Sequence, residues 1–217
     1  MYDRVVVLDF EACCDEKRTY YEIIEFPSVL LNLKSFQVES EYQQFVKTTV
    51  YPTINKICKE ITGISQEQVD NGLLLKDTLT SYEQWLKSNK LIGDKGEKIG
   101  SWCYVTCGDW DLLKALPTET KHKKLTYPPC MKQWINIKRE FAIHYMGAVY
   151  SIDQKTSRPN RNKKEKGMDG MLKHLKLELK GHHHSGIDDC RNIGQVVVKM
   201  IQDGHTQSFA SPNNQIN

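Results

Sequence analysis

Nowhere does the 217-residue chain carry the ~18–20 consecutive apolar residues that a membrane-spanning helix needs, so a helical span is not expected. Nor is a secretory leader expected from the first residues. Met1-Tyr2-Asp3-Arg4 runs into Val5-Val6-Val7-Leu8, and Asp9 stops that run too soon for a signal peptide. The seven cysteines include no Cys-x-x-Cys pair, and Cys103 and Cys107 lack a second pair to complete a zinc site. An odd, scattered set reads as free thiols in a reducing compartment, so the expected location is intracellular, cytoplasmic and/or nuclear. Nor does one charge dominate. A net +3 is too small to mark a nucleic-acid binder by itself. Internal repeats and a second core are also absent.

What remains is ordinary for one globular domain: 39% hydrophobic and 26% charged residues, enough apolar content to argue against disorder. Residues 4–10 form a valine-rich run suited to a strand covered on both faces. Residues 20–33 ("YYEIIEFPSVLLNL") and 42–49 ("YQQFVKTT") read as two further strands, giving an antiparallel meander. Ile54, Ile57, Cys58 and Ile61 then recur at helical spacing, and 66–69 and 78–87 are also helical in pattern. Strand character returns at 98–106 and 134–137. Helices are expected from Asp111, through Tyr145, after a cap at Asp169, and from about Ile187 to a stop at Gly204. This order suits an α/β fold, a mixed sheet with helices on both faces. The domain should span 1–204, with 205–217 a polar, frayed tail. The segment 155–166 ("KTSRPNRNKKEK") concentrates positive charge in what reads as one loop.

Three acidic sites stand at element ends. In Asp9-Phe10-Glu11 the two carboxylates project to one side of a strand end and repel unless a cation or shared proton intervenes. In "TCGDWDLL", Asp109 suits a helix cap, which leaves Asp111 for other work. In "GHHHSGIDDC", Asp188 and Asp189 fall in the first turn of the last helix, again one more than capping requires. Several acids with a histidine nearby suit hard divalent cations such as Mg²⁺. Two such ions can support in-line phosphoryl displacement, with the histidine taking a proton from water. A zinc site of His182, His183 and His184 is disfavoured, because consecutive residues in an extended loop point in different directions.

The stretches "VVLDFEA", "EIIEFPSV", "ITGISQEQVD", "VTCGDWDL" and "HHSGIDDCRNI" resemble, in order, the motifs of the DEDDh exonuclease superfamily, and more narrowly its ERI-type 3′-5′ exoribonucleases. The resemblance covers about residues 5–204. It implies a ribonuclease-H-like mixed five-stranded sheet flanked by helices, and two Mg²⁺ ions, with Mn²⁺ as a substitute. It makes Asp9, Glu11, Asp111 and Asp189 the metal ligands and Glu11 and His184 catalytic; the family's five-residue spacing to the last acid selects His184. Glu11, Ala12, Ile57, Thr62, Trp110 and His184 would line the site of the terminal nucleotide. The implied partners are RNA 3′ ends, single-stranded or structured with an overhang, and DNA as an alternative; protein targeting partners are open, and no membrane is involved. A DNA-preferring or dual exonuclease and a silent nucleic-acid-binding module are the competing readings. Three features depart from the family: Cys13 where threonine is common, Ile57 where phenylalanine is common, and the long basic segment 155–166.

Overall fold

The computed structural model describes residues 1–14, 20–148 and 165–216. At its centre is the valine run, as β1 (Arg4–Leu8), in which Val5, Val6, Val7 and Leu8 are wholly buried. Such a run needs a core on each side, because successive strand side chains alternate. β1 pairs antiparallel with β3 (Tyr21–Asn32) and parallel with β6 (Trp102–Thr106). β2 (Glu11–Cys14) and β4 (Val38–Lys47) both pair antiparallel with β3. Beyond β4 lies β5 (Leu73–Leu74); beyond β6 lie β7 (Gln133–Asn136) and β8 (Asn214–Gln215). The strand order is β5-β4-β3-β1-β6-β7-β8, with β2 attached to β3.

Val5 and Val7 face one core, shared with α5 (Ile137–Met146), α6 (Met168–Leu175) and α7 (Gly186–Gln202) through Phe141, Met171, Ile193 and Val197. Val6 and Leu8 face the other, with α3 (Leu75–Ser88) and α4 (Leu116–Lys123) supplying Leu79, Tyr82, Leu86 and Leu116. Each such aliphatic side chain stabilises the fold by about 1.5–3 kcal/mol relative to exposure. Tyr82 is buried without an orphaned hydroxyl, which bonds to Ser28 Oγ at 2.9 Å and to Tyr104 Oη at 3.2 Å.

A smaller core holds α1 (Lys56–Thr62) and α2 (Gln66–Asp70) over β2 and β3. Asn55 starts α1 by accepting from Cys58 N at 2.8 Å, and its amide donates to Cys14 O at 2.8 Å, so one residue both caps the helix and ties it to β2.

The expected meander and the mixed sheet with helices on both faces are present. The sheet has more strands than the five expected: β4, β3, β1, β6 and β7 form its body, and β2, β5 and β8 extend it. β5 and β8 are two residues long, too short for periodicity to register. The frayed tail is a second correction. Phe209 is fully buried, Tyr2 N donates to its carbonyl, and Asn213 bonds to Asn136 and Glu140. Polar tail residues dock here through hydrogen bonds, which hydrophobic patterning does not see. At α6, Gly167 rather than Asp169 occupies the cap, and Asp169 pairs with Lys173 at 2.8 Å in the first turn. Most of the basic segment 155–166 lies outside the described residues.

Candidate active site

The alternation that sends Val5 and Val7 toward α7 carries Asp9, just past β1, to the same side, while Phe10 packs into the opposite core. Glu11 opens β2, where the pairing with β3 shifts register between Glu11 and Ala12. β6 runs parallel to β1 and ends beside it, so the carboxyl ends of the two strands open at one place, where α/β folds commonly bind ligands.

After β6 the chain turns at Gly108, whose φ of 125° strains any other residue. Asp109 does not cap a helix with its side chain as expected. Its carboxylate accepts from Trp134 Nε1 at 3.1 Å, Asn136 Nδ2 at 2.9 Å and Arg139 Nη2 at 3.3 Å, tying this turn to β7 and α5. Asp111 then begins a single π-helical turn, Asp111–Ala115, a distortion frequent at functional sites. Its Oδ1 accepts from Phe10 N at 2.9 Å, which locks the second acidic site to the first.

The third side comes from α7. Glu25, on β3 and fully buried, accepts from Gly186 N at 2.9 Å and Ile187 N at 3.2 Å, capping the helix from across the sheet. A Cβ at Gly186 would lie 2.8 Å from Asp9 O and 2.8 Å from Pro27 Cγ, so only glycine lets α7 approach this closely. One turn later Asp189, 3% exposed, accepts from His184 N at 3.0 Å through Oδ2. Its Oδ1 is buried with no hydrogen-bond partner among the described residues.

Crowding shows in the protonation equilibria. Burial, then the charges of Asp111, Glu11 and Asp189, hold the Asp9 carboxyl well above its ordinary range, and Lys138 offsets part of this. Glu11 is pushed to about 9 by burial and then by Asp189, Glu25 and Asp111. Burial also lifts Asp111 and Asp189 to about 6, against the hydrogen bonds from Phe10 N and His184 N. Four carboxyls that resist ionising together, one with an orphaned oxygen, are a donor set that fits hard cations.

The three histidines part company. His182 is exposed, and its N–H donates to Asp188 Oδ2 at 2.9 Å. Asp188 also pairs with Arg191 at 2.8 Å, which accounts for the spare carboxylate as structural. His184 has φ 70°, and this left-handed residue brings its ring over that of His183, 4.0 Å apart and 12° from parallel. His183, His184 and Asp189 can each offer one ligand atom within 4.8 Å of the others. The expectation that neighbouring histidines must diverge is therefore wrong for this pair, because the φ reversal removes the extended geometry it assumed. Burial, then His183 and His182, lower the His184 pKa.

Asp9, Glu11, Asp111 and Asp189 thus lie close enough to disturb one another's ionisation, and His184 adjoins this group through Asp189. Ile57 stands 64% exposed on α1, and Trp110 is half-buried with its ring edge-on to Tyr21 at 5.3 Å. Ala12 O accepts from Cys58 Sγ at 3.6 Å. Thr62, expected at the nucleotide, is buried and committed to backbone: its hydroxyl donates to Cys58 O and accepts from Ile64 N. Sequence reasoning gave no role to Glu25, Lys138 or Gly186. A glutamate inside the buried run 22–31 was the available signal for Glu25.

A mixed sheet with acids at the ends of its parallel central strands, closed by a helix bearing another, defines the ribonuclease-H-like class of α/β nucleases. A family model described as "Exonuclease" matches residues 6–197, and the chain belongs to that exonuclease family. It is 35% identical over 206 residues to the 3′-5′ exoribonuclease 1 of Rattus norvegicus, covering 94% of this chain and 54% of the relative. It is 32% identical over 231 residues to the 3′-5′ exonuclease Snipper of Drosophila melanogaster, covering 100% of this chain and 76% of the relative. The chain thus spans about half the length of the rat protein. Among solved structures, the nuclease domain of 3′hExo, a DEDDh family member bound to rAMP, superposes with a TM-score of 0.81 at 30% identity, covering 99% of this chain and 98% of that one. Among the described residues no helix is long and apolar enough to cross a membrane.

Proposed function

We propose that the chain is a divalent-metal-dependent 3′-5′ exoribonuclease that trims RNA 3′ ends and releases nucleoside 5′-monophosphates. The convergence of Asp9, Glu11, Asp111 and Asp189, each with its pKa raised, carries this reading. These four would hold two Mg²⁺ ions, with Mn²⁺ as a substitute; bound there, the metal would supply charge stabilisation and an acidified water. His184 stands beside Asp189 with its basicity lowered by burial, so its neutral form is available to take the proton from the attacking water. Asp189 fixes the His184 backbone while keeping Oδ1 free for the ion. Glu11 and Ala12 line the approach to the reacting phosphate. Trp110, braced by Tyr21, and Ile57 on the exposed face of α1 offer apolar surface to the terminal base. With isoleucine at 57, stacking is weaker than an aromatic pair would give, each base–ring stack contributing about 1–3 kcal/mol.

The relative bound to rAMP and the relative called an exoribonuclease support RNA over DNA. The test uses 5′-labelled RNA and DNA of equal sequence with Mg²⁺. Stepwise shortening of the RNA with release of 5′-monophosphates, abolished by EDTA, is expected. Faster shortening of the DNA would overturn the RNA preference, and internal cleavage would overturn the exonuclease reading.

A further inference from the structure

We propose that His183, His184 and Asp189 form a second, inhibitory cation site selective for a borderline-soft metal, zinc above all. The part of this concerning inhibition rests on the proposed nuclease activity; the binding part does not.

The ligand set differs in kind from the four carboxylates. Two imidazole nitrogens and one carboxylate oxygen suit Zn²⁺, which takes nitrogen and oxygen at about 2.0–2.2 Å in tetrahedral sites, whereas Mg²⁺ prefers oxygen alone. Tetrahedral bonds of that length place ligand atoms about 3.3–3.5 Å apart. The three candidate atoms already lie within 4.8 Å of one another, so closing the set would call on rotation about the histidine side-chain bonds. The stacked rings of His183 and His184 hold both imidazoles on one side of the loop. The third ligand is ready as well, since Asp189 Oδ1 is buried and has no hydrogen-bond partner among the described residues. His183 is half-buried and His184 exposed, so the ion has a path from solvent.

Occupancy has a chemical consequence. The lone pair with which His184 would accept a proton is given to the ion, and Asp189 is drawn from the carboxylate set. Both losses stop hydrolysis with the fold intact. His183 is the residue that separates the two sites, because hydrolysis does not use it and the inhibitory ion does.

Co²⁺, added to the full chain in saturating Mg²⁺, serves as a spectroscopic probe for zinc. The intact protein should develop the visible absorption of four-coordinate Co²⁺ and lose it when Zn²⁺ is added, but not when Mg²⁺ is raised further. His183→Ala should weaken Co²⁺ binding at least ~10-fold, and Asp189→Asn should weaken it too. In the nuclease assay His183→Ala should keep its Mg²⁺-dependent rate and lose sensitivity to low Zn²⁺. Unchanged Co²⁺ spectra and affinity in His183→Ala would overturn the proposal, as would unchanged zinc inhibition in that variant. Should no nuclease activity be found, the Co²⁺ spectra still decide the binding site.

Discussion

At Asp189 the two carboxylate oxygens have different fates: one fixes the His184 backbone, and the other is buried without a hydrogen-bond partner among the described residues. On the proposed function, that asymmetry would let one residue both position the base and hold an ion. His184→Ala should then cost about 10²–10⁴-fold in turnover and remove the rise of rate with pH near neutrality. Because burial and the adjoining histidines lower the His184 pKa, the wild-type rate should approach its plateau at a lower pH than an ordinary imidazole allows. His183→Ala should leave turnover nearly unchanged. Profiles of rate against pH for each variant at saturating Mg²⁺ check this, and loss of turnover in His182→Ala with retention in His184→Ala would show the base misassigned. That acids would gather at the ends of separate elements was legible from motif spacing, and the structure places Asp9, Glu11, Asp111 and Asp189 near one another. The pairing of His183 with His184 was not, since it depends on a left-handed φ at a histidine, which sequence does not announce.

Among the elements, α7 depends on a partner distant in sequence. Its first two N–H groups are satisfied by Glu25, 161 residues from Gly186. Glu25→Ala leaves both donors buried and unpaired, at about 1–3 kcal/mol each. Its melting temperature should fall clearly below that of Glu25→Gln, whose remaining carbonyl oxygen can still accept. Because α7 carries Asp189, the alanine variant should also bind metal more weakly. An alanine variant as stable as wild type would contradict this role. Most elements were legible: β1 from its valine run, and α7 from its apolar stripe. β2 was not foreseen as a separate strand, since only two residues part it from β1. The docking of 205–216 escaped notice because Asn213, Asn214 and Arg139 achieve it with hydrogen bonds. The bonding of the Thr62 hydroxyl to the end of α1 is likewise invisible to hydrophobic patterning.

For the whole molecule, the acidic site is a destabilising load that a bound cation would relieve. Folded-state pKa values of about 6 for Asp111 and Asp189 and about 9 for Glu11 lie above the ~4 of an unfolded carboxyl. The folded chain therefore binds more protons than the unfolded one. The associated stability is fully present below about pH 4 and is lost as pH rises through about 6 and then about 9. In EDTA the melting temperature contributed by this site should fall across that window. Mg²⁺ should restore stability most at the alkaline end, where its ligands are ionised. Thermal unfolding over a pH series with and without metal checks both slopes. A flat metal-free profile would mean that the four carboxyls do not share one buried site.

The central claim, that Asp9, Glu11, Asp111 and Asp189 together hold two divalent cations, is tested most directly by counting them. Mn²⁺ binding, followed by the loss of the free-ion EPR signal with adenosine 5′-monophosphate present, should give two ions per wild-type chain. Asp9→Asn, Asp111→Asn and Asp189→Asn should each lose at least one of them while remaining folded. Wild-type stoichiometry and affinity in all three variants would contradict the account.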